Sequence, residues 1–484
     1  MTRHLAIDLG AESGRTIVGS LDGNKLTLNE THRFPNRPVR LNDGLHWDIL
    51  RLWSDIKEGI GKSKAIESVG LDTWAIDFAL LDKKNSLLSN PFHYRDVRTD
   101  GMLDEAFKRL SRAEIFSNTG IQFMQINTLY QLMAMSLQKS PLLGIAKTFV
   151  TIPDLFNFWL SGELANEFTN ATTTQCFDPR TRTWSTKILD AFGIPAYLFQ
   201  PTTDSGTQIG TLLPSLTEEM NVSAIPVILP ACHDTGSAVV AVPAMNENFV
   251  WLSSGTWSIM GAEVREPCLT EKALEYNFTN EGGVFGTWRL SKNIMGLWLA
   301  QECRREWSRQ GEEISFDALT QAAAESEAFL SVIDPDDGLF LPPGDMPSRI
   351  QKFCADTGQR IPQTKGQIIR VVLESIALKY RFVLERLEEL SGKRLDPFHI
   401  IGGGTQNRLL NQFTANATKR TVIAGPVEAT AIGNILMQAI GMKHLYSLAE
   451  AREVVRRSFE SEIYEPMQPN EWDEAYARFL RVMK

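Results

Sequence analysis

The chain opens on an apolar run, Leu5-Ala6-Ile7, that closes at Asp8-Leu9-Gly10. Small and polar residues follow at Ala11-Glu12-Ser13-Gly14, and apolar ones return through Arg15-Thr16-Ile17-Val18-Gly19. This order predicts strand, tight turn, strand. The same grammar returns at Phe249-Val250-Trp251-Leu252, a Ser253–Thr256 turn, and Trp257 to Gly261. Two such hairpins about half a chain apart suggest two halves of related topology. Ile66 to Thr73 and Ala75 to Leu81 read as sheet strands, whereas residues 103–147 place apolar residues three and four apart, as helices do. Ile225 to Leu229 is a further strand, running into His233-Asp234-Thr235 and an Ala/Val helix. Gln367 to Leu390 is a long helical stretch with Ser391-Gly392 as its stop. A buried-type strand, Phe398 to Ile401, then enters Gly402-Gly403-Gly404 and a helix opening at about Leu409. Strands and helices alternate, so the fold class is α/β.

The chain has 484 residues, too many for one hydrophobic core. Val242 to Asn248 is the natural linker, which divides the chain into domains 1–244 and 245–484. A composition 43% hydrophobic and 22% charged is that of a globular protein in water. The formal charge of -9, with no basic run, argues against nucleic acid as a partner. Arg3 and His4 interrupt the first apolar stretch, which therefore does not read as a secretory leader, and no apolar run is long enough to cross a membrane. The five cysteines are scattered, with no C-x-x-C pair, so neither a zinc site nor a redox motif is signalled. Unpaired thiols in a reducing, cytoplasmic compartment are expected.

Turns rich in Gly, Ser and Thr let backbone N–H groups approach a phosphate. Asp8, at a strand end beside the first such turn, is suited to hold magnesium through water. Either hairpin alone is as well explained by an ordinary turn; the pair together with Asp8 points to a nucleotide site. Three consecutive glycines at 402–404 suit a ligand lying against bare backbone, although no dinucleotide fingerprint is present. Asp234, ahead of its helix, fits both an N-cap and a general base kept ionised by the helix terminus. His233 fits a buried, satisfied histidine or a sugar contact, and Asn293 a helix cap or a hydroxyl ligand. Asp77 and Tyr94-Arg95-Asp96 are expected to be surface ion-pair partners. Trp184 and Trp257 are core residues or stacking platforms.

Several long stretches carry a resemblance. They are Thr119 to Phe123, Asn127 to Leu132, Ile152 to Phe156, Asn170 to Gln175, Asn277 to Gly283, Lys292 to Trp298 and Ala424 to Thr430. With the two turns, they make the chain resemble the FGGY carbohydrate kinases from Ala6 to about Ile440, and within them the branch that acts on L-rhamnulose. The resemblance implies two ribonuclease-H-like domains of the actin/hexokinase-like ATPase type with a cleft between them. It implies ATP and magnesium, a small ketose as the other partner, phosphorylation of the ketose 1-hydroxyl, and a monomer or dimer. Ala11, Glu12, Ser13, Gly14 and Arg15 would form the first phosphate loop and Thr256 part of the second. Gln301, Gly403 and Gly404 would line the ATP site, and Asp8 would bear the metal. His233, Asp234 and Thr235 would grip the sugar, with Asp234 as the base, and Asn293 would bind a sugar hydroxyl. Ala79 stands where relatives often carry a glycine beside the sugar. Kinases for L-fuculose or L-xylulose remain open on these residues. So do an actin-like ATP-binding protein without a sugar acceptor and a sugar sensor descended from a kinase.

Overall fold

Leu5, Ala6 and Ile7 are fully buried, as in a strand covered on both faces. In the computed structural model, whose described residues are 1–467 and 469–483, they lie in β1 (Thr2–Leu9). The chain turns through residues 10–12 into β2 (Ser13–Asp22) and again into β3 (Lys25–Pro35). β4 (Ser68–Thr73) runs parallel to β1 with Asp8 opposite Asp72. β5 (Gln208–Thr211) and β6 (Pro226–Ile228) complete a six-stranded sheet in the order β5-β6-β4-β1-β2-β3. Helix Ala429–Gly441 packs on β1 and β4 and against helix Asp234–Val240. A Cβ on Gly433 would stand 1.8 Å from the carbonyl oxygen of Ser237, so this helix crossing needs glycine.

This sheet belongs to the first of two compact units, made of Met1–Met245, Glu263–Leu290 and Ala429–Phe459. Two segments from the second half of the chain thus complete a unit begun by the first half. Helix Ala429–Gly441 explains one of them, because its buried Ile432, Ile435 and Leu436 need the sheet as cover.

The second unit repeats the hairpin-plus-parallel-strand arrangement. β7 (Val250–Ser254) and β8 (Trp257–Val264) form the hairpin, and β9 (Phe398–Ile401) lies parallel to β7. β10 (Val422–Ala424) and β11 (Glu462–Tyr464) follow in order. The long helix is Lys365–Ser391; a Thr364/Gln367 capping box opens it and Gly392, at φ +66°, closes it.

One expected strand is shortened. Only Phe78–Leu81 of the run from Ala75 is extended, and Ile76 sits at φ +68°. Asp77 explains the turn. It is 1% exposed, not a surface ion-pair partner, and accepts from Trp47 Nε1 (2.6 Å), Trp74 Nε1 (3.0 Å) and Gln131 Nε2 (2.9 Å). Asp96 is buried too and accepts from the Leu45 amide at 2.7 Å. Trp184 packs against Phe177 and Phe199 rather than offering a platform. The five cysteines are unpaired. Among the described residues, no helix is long and apolar enough to cross a membrane.

Candidate active site

The first turn is built as tightly as its small residues suggest. The Gly10 amide donates to the Ser13 carbonyl at 2.9 Å, and Asn36 Nδ2 donates to the Gly10 carbonyl at 2.9 Å. A Cβ on Gly14 would meet the Phe34 ring at 2.3 Å and Leu9 at 2.7 Å, so the position is closed to larger residues. Ala11 and Ser13 are half-buried and Glu12 is exposed. Arg15 folds back on Asp8, with Nε (3.0 Å) and Nη2 (2.8 Å) both donating to Oδ2. One oxygen of Asp8 is thereby committed.

Asp234 stands at the end of a loop held from several sides. The Cys232 amide donates to Glu167 Oε2 at 3.1 Å, the Cys232 carbonyl accepts from the Thr73 amide at 2.9 Å, and the His233 amide donates to Thr169 Oγ1 at 3.2 Å. Glu167 is itself fully buried and takes further hydrogen bonds from Thr169 and Ser205, each at 2.6 Å. His233 occupies the N-cap position, and Asp234 is the first residue of the helix. The Thr235 amide (2.5 Å) and Thr235 Oγ1 (3.1 Å) both donate to Asp234 Oδ1, and His233 Nε2 lies 3.3 Å from the same oxygen. None of the three reaches Oδ2. Burial raises the Asp234 pKa above the ordinary carboxylate value; His233 pulls against this and the negative charge of Asp8 adds to it.

Asp72 is legible in the sequence only as a strand residue. Register with Asp8 sets the two carboxyl groups side by side, since parallel neighbours stand roughly 4.8 Å apart. Asp72 Oδ2 accepts from Asn434 Nδ2 at 2.5 Å, while Oδ1 is buried without a partner. Burial, then the charges of Asp8 and Asp234, push its pKa well up, against the Asn434 hydrogen bond and Arg15. An acidic, oxygen-rich site with an orphaned buried oxygen fits a hard divalent cation such as magnesium. A charge inside an otherwise apolar strand is the one available signal.

The second unit brings four expected nucleotide residues to one cavity of about 810 Å³. Thr256, Gln301, Gly403 and Gly404 line it, with Phe316 and Leu373 as apolar walls that the sequence did not single out. The Leu297 and Trp298 amides donate to the carbonyls of Gly255 (3.2 Å) and Thr256 (3.0 Å), tying the second turn to the helix that carries Gln301. Gln301 Oε1 is buried without a partner. A Cβ on Gly404 would stand 2.0 Å from Ser254 Oγ, Gly402 has φ +84°, and Gly403 faces open space. Asn293, half-buried on strand Trp288–Met295, does not line this cavity, nor does Trp257.

Ala79, expected beside the sugar, lies on the short strand Phe78–Leu81. It is 2% exposed, pairs with Val150 and packs in the hydrophobic core. The turn just before it is closer to the acidic group: the Trp74 amide donates to the Leu9 carbonyl at 3.2 Å, and half-buried Ala75 comes next.

Comparison with known proteins agrees with this architecture. Residues 4–241 match the model of the N-terminal domain of the FGGY family of carbohydrate kinases, and residues 250–442 that of its C-terminal domain. A rhamnulokinase of Bacteroides thetaiotaomicron is 43% identical over 99% of this chain and 99% of its own. A rhamnulokinase of Oceanobacillus iheyensis is 43% identical over 95% of this chain and 98% of its own. Among solved structures, a xylulose kinase from Lactobacillus acidophilus superposes with a TM-score of 0.83 at 15% identity, covering 100% of this chain and 97% of that one. Plasmodium falciparum glycerol kinase with ADP gives 0.80 at 17% identity, covering 100% and 97%. These two share the fold, the two-domain actin/hexokinase-like arrangement. With both halves matched and full-length relatives above 40% identity, the chain belongs to the FGGY family of carbohydrate kinases.

Proposed function

We propose that the chain transfers the γ-phosphoryl group of ATP to the 1-hydroxyl of L-rhamnulose, giving L-rhamnulose 1-phosphate in L-rhamnose catabolism. The chemistry rests on one observation: Asp234 gathers its local donors on Oδ1 and leaves Oδ2 to take a proton. The substrate follows from the full-length kinship with rhamnulokinases.

In this reading, domain 1–244 supplies the sugar residues His233, Asp234 and Thr235 and the first phosphate turn, Ala11 to Arg15. Domain 245–484 supplies Thr256 of the second turn, the adenosine residues Gln301, Gly403 and Gly404, and Asn293 for a sugar hydroxyl. Gln301 Oε1, orphaned in the cavity wall, is an acceptor for an N–H of the base. Asp234 Oδ2 accepts the hydroxyl proton as the sugar oxygen bonds to phosphorus and the bond to ADP breaks. Little covalent help is needed, because positioning and charge neutralisation dominate phosphoryl transfer. Asp8 and Asp72 fit magnesium, which when bound neutralises phosphate charge. Arg15, anchored on Asp8, orients that carboxylate.

A coupled assay of ADP release with purified ketoses tests the substrate. The highest kcat/KM is expected for L-rhamnulose. A value about tenfold higher for L-fuculose or L-xylulose, roughly 1.4 kcal/mol in transition-state binding, overturns the substrate alone. ATP turnover without sugar that exceeds turnover with it overturns the kinase reading.

A second outcome concerns Asp8→Asn. Titrating magnesium against rate should show a raised magnesium requirement, partly relieved by excess metal. An unchanged requirement removes Asp8 from the metal site.

A further inference from the structure

Arg289 is among the largest fully buried side chains of the protein, with 1% of the side chain exposed. A buried guanidinium is costly unless it is paired and hydrogen-bonded. Its Nε donates to the Gly282 carbonyl at 2.9 Å, and Nη2 lies 3.1 Å from Glu281 Oε2. Burial alone would push the Glu281 pKa up, but Arg289 and His233 hold it below the usual carboxylate range, as in an ion pair. Residues 263–290, which carry both partners, are one of the two late segments that join the first unit.

The same Nη2 stands 2.9 Å from His233 Nδ1. Guanidinium N–H groups only donate, so Nδ1 must present its lone pair. A hydrogen on Nδ1, aimed at Glu281 Oε2 3.3 Å away, would be forced against the nearer Arg289 N–H. The ring proton therefore sits on Nε2, the nitrogen 3.3 Å from Asp234 Oδ1.

We infer that Arg289, locked by Glu281, is a positioning residue: it fixes His233 as the Nε2–H tautomer, whose ring N–H, 3.3 Å from Asp234 Oδ1, draws that oxygen electrostatically and leaves Oδ2 for the sugar hydroxyl. The inference rests on Asp234 being the base. Arg289 acts only through His233, in the way a second hydrogen-bonding group sets the tautomer of a functional histidine.

Two measurements decide it. In protein labelled with ¹⁵N in its histidine rings, the His233 signals are those that disappear in His233→Gln among seven histidines. A proton on Nε2 alone is expected; a proton on Nδ1, in a neutral or cationic ring, overturns the inference without any variant of Arg289. The second measurement is steady-state kinetics on Arg289→Gln and Arg289→Lys, singly and with Asp234→Asn. Arg289→Gln is expected to lose kcat by about tenfold to a hundredfold with both KM values within about threefold, because misaimed groups cost rate more than binding. Arg289→Lys, which keeps the charge against Glu281, should recover part of the loss and carries the kinetics if the glutamine variant does not fold. In the Asp234→Asn background the Arg289 change should cost nothing further. Undiminished kcat in Arg289→Gln beside an inactive Asp234→Asn overturns the inference and spares the base. An active Asp234→Asn overturns the base itself, while the ring spectrum still reports the tautomer. A full additional loss in the double variant also overturns the inference.

Discussion

Asp234→Asn is expected to lower kcat by about a hundredfold to ten-thousandfold, the usual worth of a positioned acid–base group. The amide keeps the shape and the hydrogen bonds at Oδ1 but cannot take a proton. Sugar KM should stay within about tenfold and the melting curve near normal, because the substitution removes a transition-state contribution rather than packing. His233 occupies the cap position, so the helix start does not depend on Asp234 as a cap. More than about a tenth of wild-type kcat remaining would fall below the range of such groups and remove Asp234 as the base. The acid limb of the wild-type profile adds a sign. The Asp234 pKa is raised by burial and by Asp8, so the active carboxylate is lost as pH falls through a value above the ordinary carboxylate figure of about 3.9. The acid limb of kcat/KM should therefore lie above that range.

The second large effect is expected at Gly433→Ala. The added Cβ would stand 1.8 Å from the Ser237 carbonyl oxygen and 2.6 Å from its carbon, and backbone cannot swing aside as a side-chain tip can. Overpacking typically costs about 1–3 kcal/mol, and a clash between two helix backbones belongs at or beyond the upper end. A Tm lower by roughly 5–10 °C follows for a unit of this size. Activity should fall too, since the displaced helix begins at Asp234. Gly144→Ala is the matched control. Nothing lies within 4 Å of its added Cβ, and it is expected to be neutral or slightly stabilising by thermal melting. Equal melting of the two variants would show that the crossing yields.

Features set by local pattern are readable from the amino-acid order alone. The two hairpins, the long helix with its Gly392 stop, and the glycine turn after Ile401 all depend on neighbours in sequence. The grouping of Thr256, Gln301, Gly403 and Gly404 is readable too, through family likeness. What stays hidden depends on distant partners. Asp72 matters because β1 and β4 run in register, and because Asn434 arrives from more than three hundred residues away. The strand from Ala75 reads too long because the Asp77-centred turn, which moves its start to Phe78, leaves no local mark. Glu281 lies inside a stretch that flags the family, but nothing in its spacing links it to Arg289 or His233.

The path of the chain also dictates when the enzyme can first exist during its own synthesis. Residues 263–290, with Arg289 and Glu281, leave the ribosome shortly after Asp234, whereas residues 429–459, with Asn434, follow only roughly two hundred residues later. A nascent chain stopped at residue 245 holds Asp234 with an imidazole not yet oriented, and until helix Ala429–Gly441 arrives β1 keeps one face uncovered. Translation proceeds at roughly 5–20 residues per second, so the incomplete unit persists for on the order of ten to forty seconds. Through that interval its exposed apolar sheet is a client for chaperones, and no cut near residue 244 releases a half that can finish folding alone.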